Sequence, residues 1–197
     1  MRMKPIPRHE WSAQMDDALV AMTKPPTPRH YVPPPGGRPD RPKASNTLGS
    51  FAYHPDLAQA WFSFNGHILY GTTLSLRQRE ILVLRIAAVR RSQYLWAQHL
   101  VHKQEADLTD EDIARIAFGP GAPFLEPLEQ AMLAAVDELI GHGQISDPAW
   151  AALAARLDEQ QILDVIFTVG CYDTLAWMYD SLQLDLETDL PFGRTNS

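Results

Sequence analysis

Along most of the chain, apolar residues return every three or four positions, the spacing of one helix face. "HPDLAQAWFSFNGHILYG" (54–71) is one such run, ended by Gly71. "SLRQREILVLRIAAVRR" (75–91) is apolar around much of its circumference, which predicts a central, buried helix. Ser75 stands as its N-cap and Gln78 as the capping-box partner. "RRSQYLWAQHLVHKQ" (90–104) opens a further helix, expected to run to about Ala106. "LTDEDIARIAFGP" (108–120) has Thr109 as N-cap and Gly119-Pro120 as its stop. "LEPLEQAMLAAVDELIGHG" (125–143) ends in the stop signals Gly141 and Gly143, and "SDPAWAALAARL" (146–157) carries Ser146 as cap and Pro148 in its first turn. The last run, "DEQQILDVIFTVGCYDTLAWMYDSLQL" (158–184), is long and apolar. No segment alternates at period two between turn signals, so the expected fold is all-α, with about seven to eight helices. Segments 75–100 and 157–182 are loosely alike, a faint sign of duplication.

Upstream the texture differs. "WSAQMDDALVAM" (11–22) fits one short amphipathic helix, and eight of the eighteen residues in 25–42 are proline. Proline removes backbone donors and breaks helices, so 25–42 is expected to be extended. The organisation expected is an N-terminal helix and Pro-rich arm over 1–45, a helical domain over 46–190 and a tail over 191–197.

Composition narrows the function. A net charge of −7 argues against nucleic acid as a partner, since phosphates need a basic surface. No run reads as long enough for a transmembrane helix and the N-terminus lacks an apolar signal region, so no membrane partner and a cytoplasmic location are expected. Cys171 is the one cysteine, which removes any intrachain disulfide or dithiol cycle. On an apolar helix it reads as a packed small hydrophobe. No Gly-rich phosphate loop, nucleophile elbow or dinucleotide fingerprint is present, and the histidines form no metal-ligand pattern. Neither cofactor nor metal is expected.

The stretch 90–104 holds the candidate chemistry. Ser92, Leu95 and His99 share one helix face at spacings of three and four. Upstream, Glu80 has two readings: a solvated residue near the helix start, or a buried carboxyl whose pKa burial raises to a value useful in proton transfer. Arg77, Arg79 and Arg85 are candidate partners for Glu80 or for a neighbouring subunit, Arg85 needing a buried acidic partner or an interface.

The segment "LSLRQREILVLRIAAVRRSQYLWAQHLVHKQEADLTDEDIARIA" resembles the core motif of the carboxymuconolactone decarboxylase and alkylhydroperoxidase D-like superfamily. The likeness extends from about Leu48 to Leu186, and the "YxWAxH" texture is similar to a cysteine-less branch. Members carry a Glu on one helix and Cys-x-x-Cys-x-x-x-His on the next. Here those positions hold Glu80, then Ser92, Leu95 and His99. Serine cannot cycle through a disulfide and leucine brings no redox chemistry, so a thiol peroxidase is not expected. The resemblance implies a cofactor-free lyase or isomerase. Glu80 and His99 would move protons on a small lactone, enone or aromatic acid, and Ser92 would hydrogen-bond a carbonyl. Tyr94, Leu95, Trp96, His67 and Tyr70 are the expected substrate-contacting residues. The alternative is a catalytically degenerate oligomer with a binding or structural role. In either case a homo-oligomer is expected, as a dimer, trimer or hexamer.

Overall fold

A computed structural model describes residues 1–30, 32 and 44–190. Most of the expected Pro-rich arm lies outside the described residues, as does the tail over 191–197. Among the described residues the chain is helical throughout, with no strand. The helices are α1 (Ala13–Met22), α2 (Ser45–Phe51), α3 (Pro55–Gly66), α4 (Leu76–Arg90), α5 (Gln93–Leu100), α6 (Asp110–Phe118), α7 (Pro127–His142), α8 (Asp147–Ala154) and α9 (Glu159–Leu182). Contacts divide them into two compact units, one of residues 1–72 and 179–197, the other of 73–178.

In the first unit α1 packs on α3. The Ser12 side chain caps α1 by accepting from the Met15 N–H, and Met15 and Ala18 are fully buried. A Cβ at Gly66 would come within 2.3 Å of the Met22 carbonyl oxygen, so only glycine permits this approach. The helix beginning at Pro55 does not run regularly to Gly71: beyond Gly66 it widens into a π-helical turn, His67–Gly71. The Tyr70 carbonyl at that turn accepts the N–H groups of Arg29 and His30, and Glu187 Oε1 accepts from the Asn46 N–H at 2.8 Å.

The second unit is built on α4. Its capping box forms as expected, with Ser75 Oγ accepting from the Gln78 N–H and Gln78 Oε1 from the Ser75 N–H. Residues Arg79 to Leu84, with Ile86 and Ala87, are all buried. Ile81 and Leu84 join Ala106, Leu108, Ile116 and Leu133 in one core cluster. Burying each such aliphatic side chain contributes roughly 1.5–3 kcal/mol. Arg85 finds an acidic partner, though a half-buried one: both Asp137 carboxylate oxygens accept from its guanidinium, at 2.6 and 2.7 Å. It also donates to the carbonyls of Ile116 and Ala117, the open C-terminal end of α6. Arg77 bonds Glu129 and the Asp107 carbonyl.

Two expectations are corrected. The helix opened at Gln93 ends at Leu100 rather than near Ala106, and 101–107 is a run of turns. There the His102 N–H bonds back three residues to the His99 carbonyl, and Asp107 takes a left-handed conformation at φ 53°. The expectation that no run has transmembrane length is also overturned. The 24-residue α9 has the length and hydropathy of a span, but 61% of its apolar window is buried inside the protein. A core helix covered on several sides is apolar all round for that reason.

Candidate active site

Glu80 and His99 meet. The two residues stand 19 apart in sequence, yet Glu80 Oε2 lies 2.7 Å from His99 Nδ1. α4 carries Glu80 on its buried side, where 1% of the residue is exposed. The chain then reverses through Arg91, at φ 56°, and α5 brings His99 back alongside. The other carboxylate oxygen, Oε1, accepts from Arg79 Nε and Nη2, each at 3.3 Å. Both oxygens of this buried acid are therefore engaged by cationic or N–H donors.

That arrangement decides how Glu80 ionises. Burial is the largest influence and pushes its carboxyl up, the direction expected from the sequence for an inward-facing Glu. The charge and hydrogen bond of His99, then Arg79 and His102, outweigh it and hold the group down at about 2. Glu80 is thus an ionised acceptor, not a proton donor. An ionised carboxylate can only accept, so it fixes the proton of His99 on Nδ1 and leaves Nε2 as the nitrogen for chemistry.

Tyr172 of α9 completes the setting. Its ring stands edge-to-face against the His99 imidazole, with centroids 4.9 Å apart and planes at 89°. Only 2% of Tyr172 is exposed, and 12% of the His99 side chain. His102 lies beyond, its ring centroid 5.8 Å from that of His99, with Nδ1 3.9 Å from Glu105 Oε2. Among the described residues no group of three or more His, Cys, Asp or Glu is arranged to hold a metal ion.

The remaining expected site residues are placed as follows. Ser92, 1% exposed, is the N-cap of α5 and caps it through its carbonyl, which accepts from the Trp96 N–H at 3.0 Å. Leu95 is fully buried and Tyr94 nearly so. Trp96 is partly buried against the core cluster of Ile81, Leu84 and Leu133. His67 and Tyr70 belong to the first unit, on its π-helical turn. Cys171 is 1% exposed. Of the three arginines expected as partners for Glu80, Arg79 is the one that reaches its carboxylate; Tyr172 is the contributor to this setting that sequence reasoning passed over. For Tyr172, the one signal was its aromatic–Leu–Trp–Ala neighbourhood, shared with the segment around Tyr94.

The comparisons with known proteins fit this geometry. Residues 55–138 match the carboxymuconolactone decarboxylase family. Three solved structures share the fold. The debrominase Bmp8, in its apo form, superposes with a TM-score of 0.69 at 13% identity, over 94% of this chain and 92% of its own. A peroxidase-related protein from Ralstonia eutropha JMP134 with an alkylhydroperoxidase AhpD core gives 0.67 at 15%, over 91% and 88%. A further peroxidase-related protein, from Silicibacter sp. TM1040, gives 0.65 at 14%, over 74% and 78%. No curated protein compared with it matches in sequence. Residues 55–138 thus resemble that family, and the chain shares the all-helical fold of AhpD-like proteins.

Proposed function

We propose that this chain is a cofactor-free lyase or isomerase that moves a proton on a small lactone, enone or aromatic acid. The observation carrying this reading is the 2.7 Å contact between buried, ionised Glu80 and His99 Nδ1. A carboxylate so placed orients the imidazole and fixes its tautomer, which is what a general acid–base histidine requires. His99 Nε2 takes a proton from the carbon next to the substrate carbonyl. The double bond shifts, and the imidazolium returns the proton to the far carbon. For a carboxylated substrate, CO2 leaves instead, and a proton that His99 Nε2 has taken from solvent is delivered to the carbon left behind. Neither route oxidises or reduces the protein. Glu80 acts as a positioning group, and Tyr172 braces the imidazole plane.

A residual thiol peroxidase is disfavoured by Leu95 and Ser92 at the two thiol positions and by the burial of Cys171. The test is a screen of lactones, enones and aromatic acids for double-bond shift or CO2 release, with wild type beside His99→Ala and Glu80→Gln. His99→Ala should abolish turnover, and Glu80→Gln should lower kcat by about 10²-fold, within the range of lost acid–base assistance. Turnover unchanged in His99→Ala would sink the assignment. Binding of such molecules with no turnover in any form would favour a binding role instead.

A further inference from the structure

His99 is nearly closed off, yet the route that releases CO2 asks it for a proton from water. Each CO2 lost from a carboxylated substrate consumes one proton, and His99 must be recharged before the next turnover. Only 12% of its side chain is exposed, with Glu80 at Nδ1 and the Tyr172 ring edge-on against the imidazole. A ring so placed meets little solvent directly. A second ionisable group that reaches both the ring and the surface would recharge it faster.

Three ionisable side chains leave the site at steps of three residues: His99, His102 and Glu105. The early end of α5 sets the first step. The His102 N–H closes on the His99 carbonyl at 2.9 Å, a 3₁₀-type bond, and side chains three apart eclipse in such a turn. The two rings accordingly lie 5.8 Å apart between centroids, with planes tilted by 56°. Glu105 Oε2 follows, 3.9 Å from His102 Nδ1. Side-chain exposure rises outward along this line, from 1% at Glu80 and 12% at His99 to 34% at His102 and 32% at Glu105. The charge of His102 also reaches inward, where it helps to hold the Glu80 carboxyl down. An ion pair as exposed as His102 and Glu105 adds little to stability, so holding the fold together does not account for it.

We infer that His102, with Glu105 beside it, is the proton port of His99, taking protons from solvent or buffer and passing them inward. The His102 imidazolium, paired with the Glu105 carboxylate, gives one proton to His99 Nε2 through at most one water. His102 is left neutral, and a proton from solvent restores it. His99 becomes the imidazolium partner of Glu80 and later gives that proton to the carbon that CO2 has left. One proton enters from solvent for each CO2 released, and nothing is oxidised or reduced. His102 touches no reacting atom; it acts through His99. The inference rests on the acid–base role proposed for His99, but not on which substrate turns over.

The test needs no substrate. In the full chain labelled with ¹³C and ¹⁵N in histidine, NMR line broadening of the His99 ring reads how fast Nε2 gains and loses its proton. The His99 signals are those missing from His99→Ala. Wild type should exchange at a rate that added imidazole leaves unchanged. His102→Ala and His102→Gln should each exchange about 10²-fold more slowly, the order of one lost acid–base group. Imidazole in the buffer should restore both, since a free ring stands in for the missing one and a merely structural defect would not respond. Wild-type exchange in both variants, or slow exchange that imidazole does not relieve, would overturn the inference. Failure of every compound in the substrate screen would count against the acid–base reading and leave this measurement standing by itself. With a compound that does release CO2, His102→Ala should lower kcat but not kcat/KM, because recharging follows CO2 loss. Imidazole should restore that kcat, and a fall in kcat/KM of the same size would refute the relay.

Discussion

Acid should expose the Glu80–His99 contact in the folding stability of the protein. The Glu80 carboxyl is held at about 2, against an ordinary value of 4.5. A carboxyl depressed in the folded state contributes stability that is complete above the unfolded pKa. That stability is lost as pH falls through the folded one. The window is therefore pH 4.5 down to about 2. A drop of about 2.5 units, at about 1.4 kcal/mol per unit, amounts to roughly 3–4 kcal/mol. Glu80 is buried, so solvent screening removes little of it. Glu80→Gln lacks this titration while sharing every other carboxylate with wild type. Urea denaturation of both proteins at a series of pH values isolates it, because the remaining groups cancel in the difference. The variant should be the less stable by roughly 3–4 kcal/mol at pH 6, with the gap closing toward pH 2.5. A gap constant across that range would show that Glu80 does not ionise against His99 and Arg79, and would remove the basis for orienting the imidazole.

Three further outcomes test the frame around the site. Arg85→Met should destabilise by about 2 kcal/mol in thermal or urea melts, since it removes the partner of half-buried Asp137 and opens two carbonyls at the end of α6. Gly119→Ala should destabilise by more than about 1 kcal/mol, because residue 119 sits at φ 107° and a Cβ there falls 2.5 Å from the Arg85 guanidinium. Gly141→Ala should stabilise by roughly 0.5 kcal/mol, as a helical glycine with open space around its Cβ position; a loss of stability in the same melts would contradict the packing of α7.

Local rules were enough for most of the helices, though not for α2 or for the end of α5. Ser75, Thr109 and Ser146 cap where a hydroxyl precedes an apolar run, because a cap bond joins residues three apart and depends on little else. The same locality set the limits. Past Leu100 the apolar spacing continues, but Leu108 packs into the core cluster with Ala106, and the chain turns to bring both there. At the site, motif spacing singled out Glu80 and His99, since helix periodicity and family likeness both act along the chain. Their meeting, and the sign of the Glu80 shift, needed a third dimension. Burial by itself raises a carboxyl, and it was Arg79 on one oxygen and His99 on the other that reversed it. Tyr172 follows His99 by 73 residues, and no sequence period reaches that far. On α9 the sequence shows a helix apolar all round; only its packing separates the positions that hold the core from the exposed Leu163, Phe167 and Trp177. The chain alone determined its helices and the residues able to do chemistry. Tertiary structure decided their ionisation and their partners, because charge and burial depend on distances through space.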